Sequence, residues 1–91
     1  MSSTQLHLLI SGEVQGVGYR ASAYKHASQL GVTGWVRNLS NGCVEIVAEG
    51  EQQQLMLFSD WCRKGPIYAN VSDVTVEHLN ATGDYKEFTI L

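Results

Sequence analysis

The chain has 91 residues, 44% of them apolar and 16% charged, with a net charge of −3 at pH 7. That length makes one compact domain, residues 1–91, burying roughly two thirds of its unfolded surface without metal or disulfide staples. A weakly acidic domain is not built to coat nucleic acid or an anionic membrane, so an anionic ligand needs a locally positive site.

The opening stretch MSSTQLHLLISG has no basic leader region, its apolar core over residues 6–10 is too short for a signal peptide, and nothing approaches the ~20 apolar residues of a membrane span. A cytoplasmic location is expected. Leu6, Leu8 and Ile10 alternate with Gln5, His7 and Leu9, which predicts a first strand closed by Ser11 and Gly12. After the glycine-rich GEVQGVGYR at 12–20, the spacing of Ala23, Tyr24, Ala27 and Leu30 predicts a helix over about residues 20–30, ended by Gly31. VTGWVRNL reads as a second strand, which an Asn-Gly turn within 40–42 leads into a third, CVEIVAEG. There Val44, Ile46 and Ala48 share one face, and Cys43, Glu45 and Val47 share a wet one. Leu55, Phe58 and Cys62 mark a second helix that starts at Glu51 and stops at Gly65 and Pro66. VSDVTVEHL follows as a strand, and YKEFTIL as a short last strand after the turn at Thr82, Gly83 and Asp84.

The order β-α-β-β-α-β with a short fifth strand predicts an α/β sandwich (α+β) of the ferredoxin-like, split βαβ type with an antiparallel sheet. In that topology the third strand lies between the first two, which run parallel, so the glycine loop meets Arg37 and Asn38 at one sheet edge. Two inter-strand spacings separate them, roughly 10 Å, a gap that fits a phosphate. Cys62 should point into the core and Cys43 to the opposite sheet face, so both are expected as free thiols.

Two readings of the loop stand side by side: turn glycines with positive φ, or a nest of inward main-chain N–H groups at a helix start that binds an anion. The spacing matches neither GxGxxG nor GxxxxGK[ST]. Arg20 favours the nest, because a cation in the first turn opposes the helix dipole and a bound anion resolves that conflict. Asn38 reads either as a turn residue or as a site residue beside the loop. No serine, cysteine or histidine nearby forms a nucleophile and base pair, and His7, His26 and His78 all read as surface.

GEVQGVGYR and GWVRNLSNGCVEIVAEG, in this order, resemble the two signature motifs of the acylphosphatases, and the similarity extends through GPIYANV. The resemblance implies hydrolysis of the carboxyl-phosphate bond of acyl phosphates to a carboxylate and inorganic phosphate, without metal, cofactor or covalent intermediate. It assigns phosphoryl binding to Arg20 and the loop amides of Gln15, Gly16, Val17, Gly18, Tyr19 and Arg20, and orientation of the attacking water to Asn38. Asn41 stands where aspartate is also common and Leu39 where a hydroxyl residue often occurs. Trp35, Tyr19 and Tyr68 are candidates for an acyl-side surface, and ordinary packing is the competing account of each. A monomer acting on a small molecule, with no nucleic-acid or membrane partner, is expected. The rival class is a binding module of the same fold; an RNA-binding sheet would carry stacking aromatics on its central strands, and CVEIVAEG has none.

Overall fold

The computed structural model describes residues 3–91. Met1 and Ser2, at the head of the stretch read for a leader, lie outside them. The elements are β1 (Ser3–Glu13), α1 (Tyr19–Leu30), β2 (Thr33–Asn38), β3 (Val44–Glu51), α2 (Gln52–Lys64), β4 (Asn70–Asn80) and β5 (Phe88–Ile90). They build one sheet in the order β4-β1-β3-β2-β5. β3 is antiparallel to both β1 and β2, so β1 and β2 run parallel with β3 between them, as the element order predicts.

The expectation of a purely antiparallel sheet is corrected at one edge. β5 pairs parallel with β2, Gly34 opposite Phe88 and Val36 opposite Ile90. The reason is where β4 ends: Asn80 lies beside Thr4 at the start of β1. The chain then crosses at that end of the sheet to the far edge and enters β5 in the direction of β2.

β1 also runs past its expected stop. Its register against β4 shifts between Ser11 and Gly12, after which Gly12 faces Val71 and Glu13 faces Asn70. This is a bulge, and Gly12 is needed there for close approach, since a Cβ would run into the Asn70 carbonyl oxygen and the Ser72 amide nitrogen. Of the three glycines in GEVQGVGYR, the first therefore belongs to the sheet.

The core lies between the sheet and the helices, with Leu6, Leu8, Ile10, Val36, Val44, Ile46 and Ala48 packed against Ala23, Ala27, Leu55, Phe58 and Cys62. Burial pushes the Cys62 thiol up to about 12. Both cysteines are free. Tyr24, expected on the apolar stripe of α1, is 46% exposed, and Tyr19 takes the core position instead. Residues 19, 23 and 27 stand four apart on one helix face, whereas 24 is rotated away from it. The Tyr19 hydroxyl donates to the Cys62 carbonyl at 2.7 Å, which fixes the start of α1 against α2.

The outer face of β3 is not simply wet. Val47 is buried between His7 and Trp35 of the neighbouring strands, and Glu49 is buried under the crossing segment. The Glu49 carboxylate accepts the Thr82 amide and hydroxyl at 2.8 Å each, the Gly83 amide at 3.1 Å and the Gln5 amide at 2.6 Å. Burial raises its pKa, but these four bonds outweigh it and hold the carboxyl below the usual range.

Candidate functional site

At the C-terminal ends of β1 and β2 the surface forms a hollow of about 290 Å³ lined by Gly16, Gly18, Arg20 and Asn38, with Val14, Tyr19, Ala21 and Ile90 completing the wall. The expected meeting of loop and strand end occurs for Asn38 but not for Arg37. Side chains alternate along a strand, and Val36 faces the helices, so Asn38 shares that side and Arg37 takes the other. There the Arg37 Nε donates to Glu45 at 2.6 Å and its guanidinium lies 5.1 Å from the Trp35 ring centre. His7 reaches the other oxygen of the same carboxylate at 2.7 Å, and His7 and then Arg37 hold Glu45 below the usual range. Of the two arginines expected beside the loop, Arg37 has its partner on the far side of the sheet.

Gly16 and Gly18 are left-handed, with φ of 74° and 81°, and a Cβ on either would meet nothing within 4 Å. Space does not require glycine there; the dihedral does, at ~1–2 kcal/mol for any other L residue. Gly18 precedes α1 without a side-chain cap, and the first main-chain bond of the helix is Ser22 N–H to the Gly18 carbonyl, 3.0 Å. The N–H groups ahead of that bond have no intrahelical acceptor and carry the positive end of the helix dipole. Among the described residues, no amide of Gln15, Gly16, Val17 or Gly18 donates to another group. Arg20, in this first turn, donates Nη1 to the Leu91 main-chain oxygen at 3.0 Å. That uses one of five guanidinium donors.

Asn38 ends β2 opposite Val44. Its Oδ1 is buried and has no hydrogen-bond partner in the protein, a condition that costs about 1–3 kcal/mol when nothing satisfies it. The following turn is well bonded: Leu39 N–H donates to the Cys43 carbonyl at 2.8 Å, Gly42 N–H to the Leu39 carbonyl at 3.2 Å, and Cys43 N–H to Asn41 Oδ1 at 3.0 Å. An aspartate at 41 could accept that last bond equally well. Leu39 contributes its main-chain groups and has no hydroxyl to offer Asn38.

Gln15 joins the two halves through its side chain. Its Nε2 donates to the Leu39 carbonyl at 2.7 Å and to the Cys43 carbonyl at 2.9 Å. Ordering an exposed glutamine costs about 1.5–2 kcal/mol, and two such bonds return about 0.5–1.5 kcal/mol each, so the contact sets geometry more than stability. The sequence reading gave Gln15 only a main-chain role. The available signal was a long amide side chain in a loop already expected to face the hairpin turn. Ile90 and Leu91 were missed as well, because nothing in FTIL announces a parallel pairing with β2.

The acyl-side candidates separate. The Tyr19 ring is in the core, Tyr68 is 81% exposed in the 65–69 segment, and Trp35 lies on the outer sheet face under Arg37. Of the histidines read as surface, His78 is exposed, while His7 is paired with Glu45 and His26 stacks on Trp61 at 4.4 Å. Ser11 Oγ and Cys43 Sγ are 3.5 Å apart on the outer face.

A second hollow of about 280 Å³ runs between α2 and the β1/β4 edge, walled by Leu6, Leu55, Met56 and Val76 with Asp60 and Arg63 at its rim. It is similar in size, and neither the glycine loop nor Arg20 or Asn38 lines it. Among the described residues no helix is long and apolar enough to cross a membrane, and no three His, Cys, Asp or Glu side chains are grouped to hold a metal ion.

The acylphosphatase family model matches residues 6–90. An acylphosphatase of Methylococcus capsulatus is 49% identical over 87 residues, covering 96% of this chain and 95% of that one. One from Marinobacter nauticus is 52% identical over 88 residues, covering 97% and 96%. The structure of an acylphosphatase from Coxiella burnetii superposes with a TM-score of 0.93 at 43% identity, covering 99% of this chain and 94% of that one. With both motifs, the fold and the paired loop and strand end in register, the chain belongs to the acylphosphatase family.

Proposed function

We propose that this chain hydrolyses the carboxyl-phosphate bond of acyl phosphates, holding the phosphoryl group in the 15–20 loop and directing water with Asn38. The observation that carries this reading is the convergence of three things on one hollow: loop amides without protein acceptors, the Arg20 guanidinium, and an unpartnered Asn38 Oδ1. In the proposed step the amides of Gln15, Gly16, Val17, Gly18, Tyr19 and Arg20, with the Arg20 side chain, hold the phosphoryl oxygens and take up charge as it develops. Asn38 Oδ1 accepts a hydrogen bond from a water and aims its oxygen in line at phosphorus. The water oxygen-phosphorus bond forms, the phosphorus-acyl oxygen bond breaks, and the carboxylate leaves with the bond's electrons. The water proton passes to a phosphoryl oxygen of the substrate, since an amide cannot take it. No step calls on a metal, cofactor or covalent intermediate.

Every group assigned to this chemistry comes from one chain, which favours a monomer in which residues 1–91 act as a single catalytic domain. Two free thiols fit a reducing cytoplasm, and a net charge of −3 favours a small anion drawn to a local site over nucleic acid. The purified protein should hydrolyse benzoyl phosphate with a chelator present and be inhibited competitively by inorganic phosphate. Folded protein that binds phosphate yet leaves benzoyl phosphate intact would reduce the site to a phosphate-binding module.

A further inference from the structure

We infer that Gln15 is a positioning residue for the hydrolysis proposed above, its side-chain amide fixing Asn38 at a set distance from the loop that holds the phosphoryl group. The inference rests on that hydrolase reading and starts from how Asn38 is held. Its Oδ1 has no protein partner, so its orientation is imposed by the main chain of β2 and of the turn that follows. Gln15 grips that turn at both ends, through the carbonyls of Leu39 and Cys43. Both carbonyls already accept a main-chain bond inside the turn, and Gln15 uses a second lone pair on each. The turn therefore keeps its shape without Gln15 but loses its tie to the loop. Among the described residues, these are the only side-chain hydrogen bonds between residues 14–20 and 38–43. The residue thus belongs to both halves: its main chain sits in the anion loop, and its side chain sets where Asn38 stands.

The consequence is a specific kinetic signature. Gln15→Met keeps the length and flexibility of the side chain and removes both donors. It should lower kcat for benzoyl phosphate on the order of 10- to 100-fold, the effect of small misplacement of a reacting group, while KM and phosphate inhibition stay within about threefold. In an Asn38→Ala background the same change should alter the residual kcat by less than about twofold, because the residue acts through Asn38. Gln15→Glu sets a carboxylate against two carbonyl oxygens at neutral pH. The two oxygens favour the neutral acid, so its pKa should lie above the free value of about 4.3; as pH falls through it the protonated carboxyl regains one donor, and the rate relative to wild type at the same pH should climb several-fold. A Gln15→Met enzyme with wild-type kcat, a multiplicative loss in the double variant, or a flat Gln15→Glu ratio overturns the assignment, and the last readout stands even if Gln15→Met folds poorly. Failure of the hydrolase reading looks different: the wild type itself would not turn over benzoyl phosphate.

Discussion

Main-chain amides converge in two places on this protein, and the protein answers them differently. At the end of the sheet where the chain crosses from β4 to β5, the amides of Thr82 and Gly83 point at the Glu49 carboxylate, and the Thr82 hydroxyl and Gln5 complete its four bonds. At the opposite end, among the described residues, the amides of the 15–18 loop meet no acceptor from the protein, and the nearby Arg20 gives one donor to the Leu91 main-chain oxygen and meets no Asp or Glu side chain, whereas Arg37 is held by Glu45. The first nest carries its own anion and is structural. The second has the donors and a cation but no Asp or Glu side chain between them, and in the function proposed above that difference separates a closed turn from a binding site.

The comparison predicts which substitutions act on chemistry and which on folding. Arg20→Ala should have the largest effect, lowering kcat/KM for benzoyl phosphate and the affinity for phosphate together, each on the order of 10²- to 10³-fold. Asn38→Ala should lower kcat by about 10²-fold and leave the phosphate inhibition constant within about threefold, because no proposed contact to the anion is lost. At the filled nest the readout changes from rate to stability. Glu49→Ala orphans four donors and should cost about 2–3 kcal/mol, seen as a fall in Tm of roughly 8–24 °C, with kcat per folded molecule unchanged. Because the Glu49 pKa is lowered on folding, its contribution is complete above the unfolded value of about 4.3 and is lost as pH falls through the folded value. The stability gap between wild type and Glu49→Ala, measured by denaturant unfolding, should therefore be constant above about pH 5 and narrow below it. Gly18→Ala should have the smallest effect, about 1 kcal/mol from the left-handed dihedral, with a modest rise in the phosphate inhibition constant.

What was legible in the sequence followed from periodicity and turn chemistry. Leu6, Leu8 and Ile10, the 40–42 turn, and Leu55, Phe58 and Cys62 each announced their element, and the element order then brought Asn38 beside the glycine loop. Long-range pairing was not legible. The parallel β2/β5 edge depends on where β4 ends, the bulge at Gly12 on how closely β4 approaches, and the burial of Glu49 on a segment more than thirty residues later in the chain. Within the site, the motif positions Arg20 and Asn38 were marked by residue type. The Gln15 clamp and the turning away of Arg37 depend on which side of a strand a side chain occupies, and the sequence reading did not carry strand alternation that far. Tyr19 and Tyr24 show the same limit on a helix: the spacing alone put Tyr24 with Ala23 and Ala27 on the apolar stripe, whereas Tyr19, five residues earlier, takes the core position and bonds the Cys62 carbonyl.

The central claim, that one amide nest is reserved for an external phosphoryl group, can be read one amide at a time by titrating the protein with inorganic phosphate and following ¹H–¹⁵N shifts. The account predicts saturable shifts concentrated at Gly16, Val17, Gly18, Tyr19 and Arg20, with Thr82 and Gly83 unmoved. Saturable shifts centred on another surface, or none in the loop while phosphate still inhibits the enzyme, would contradict it.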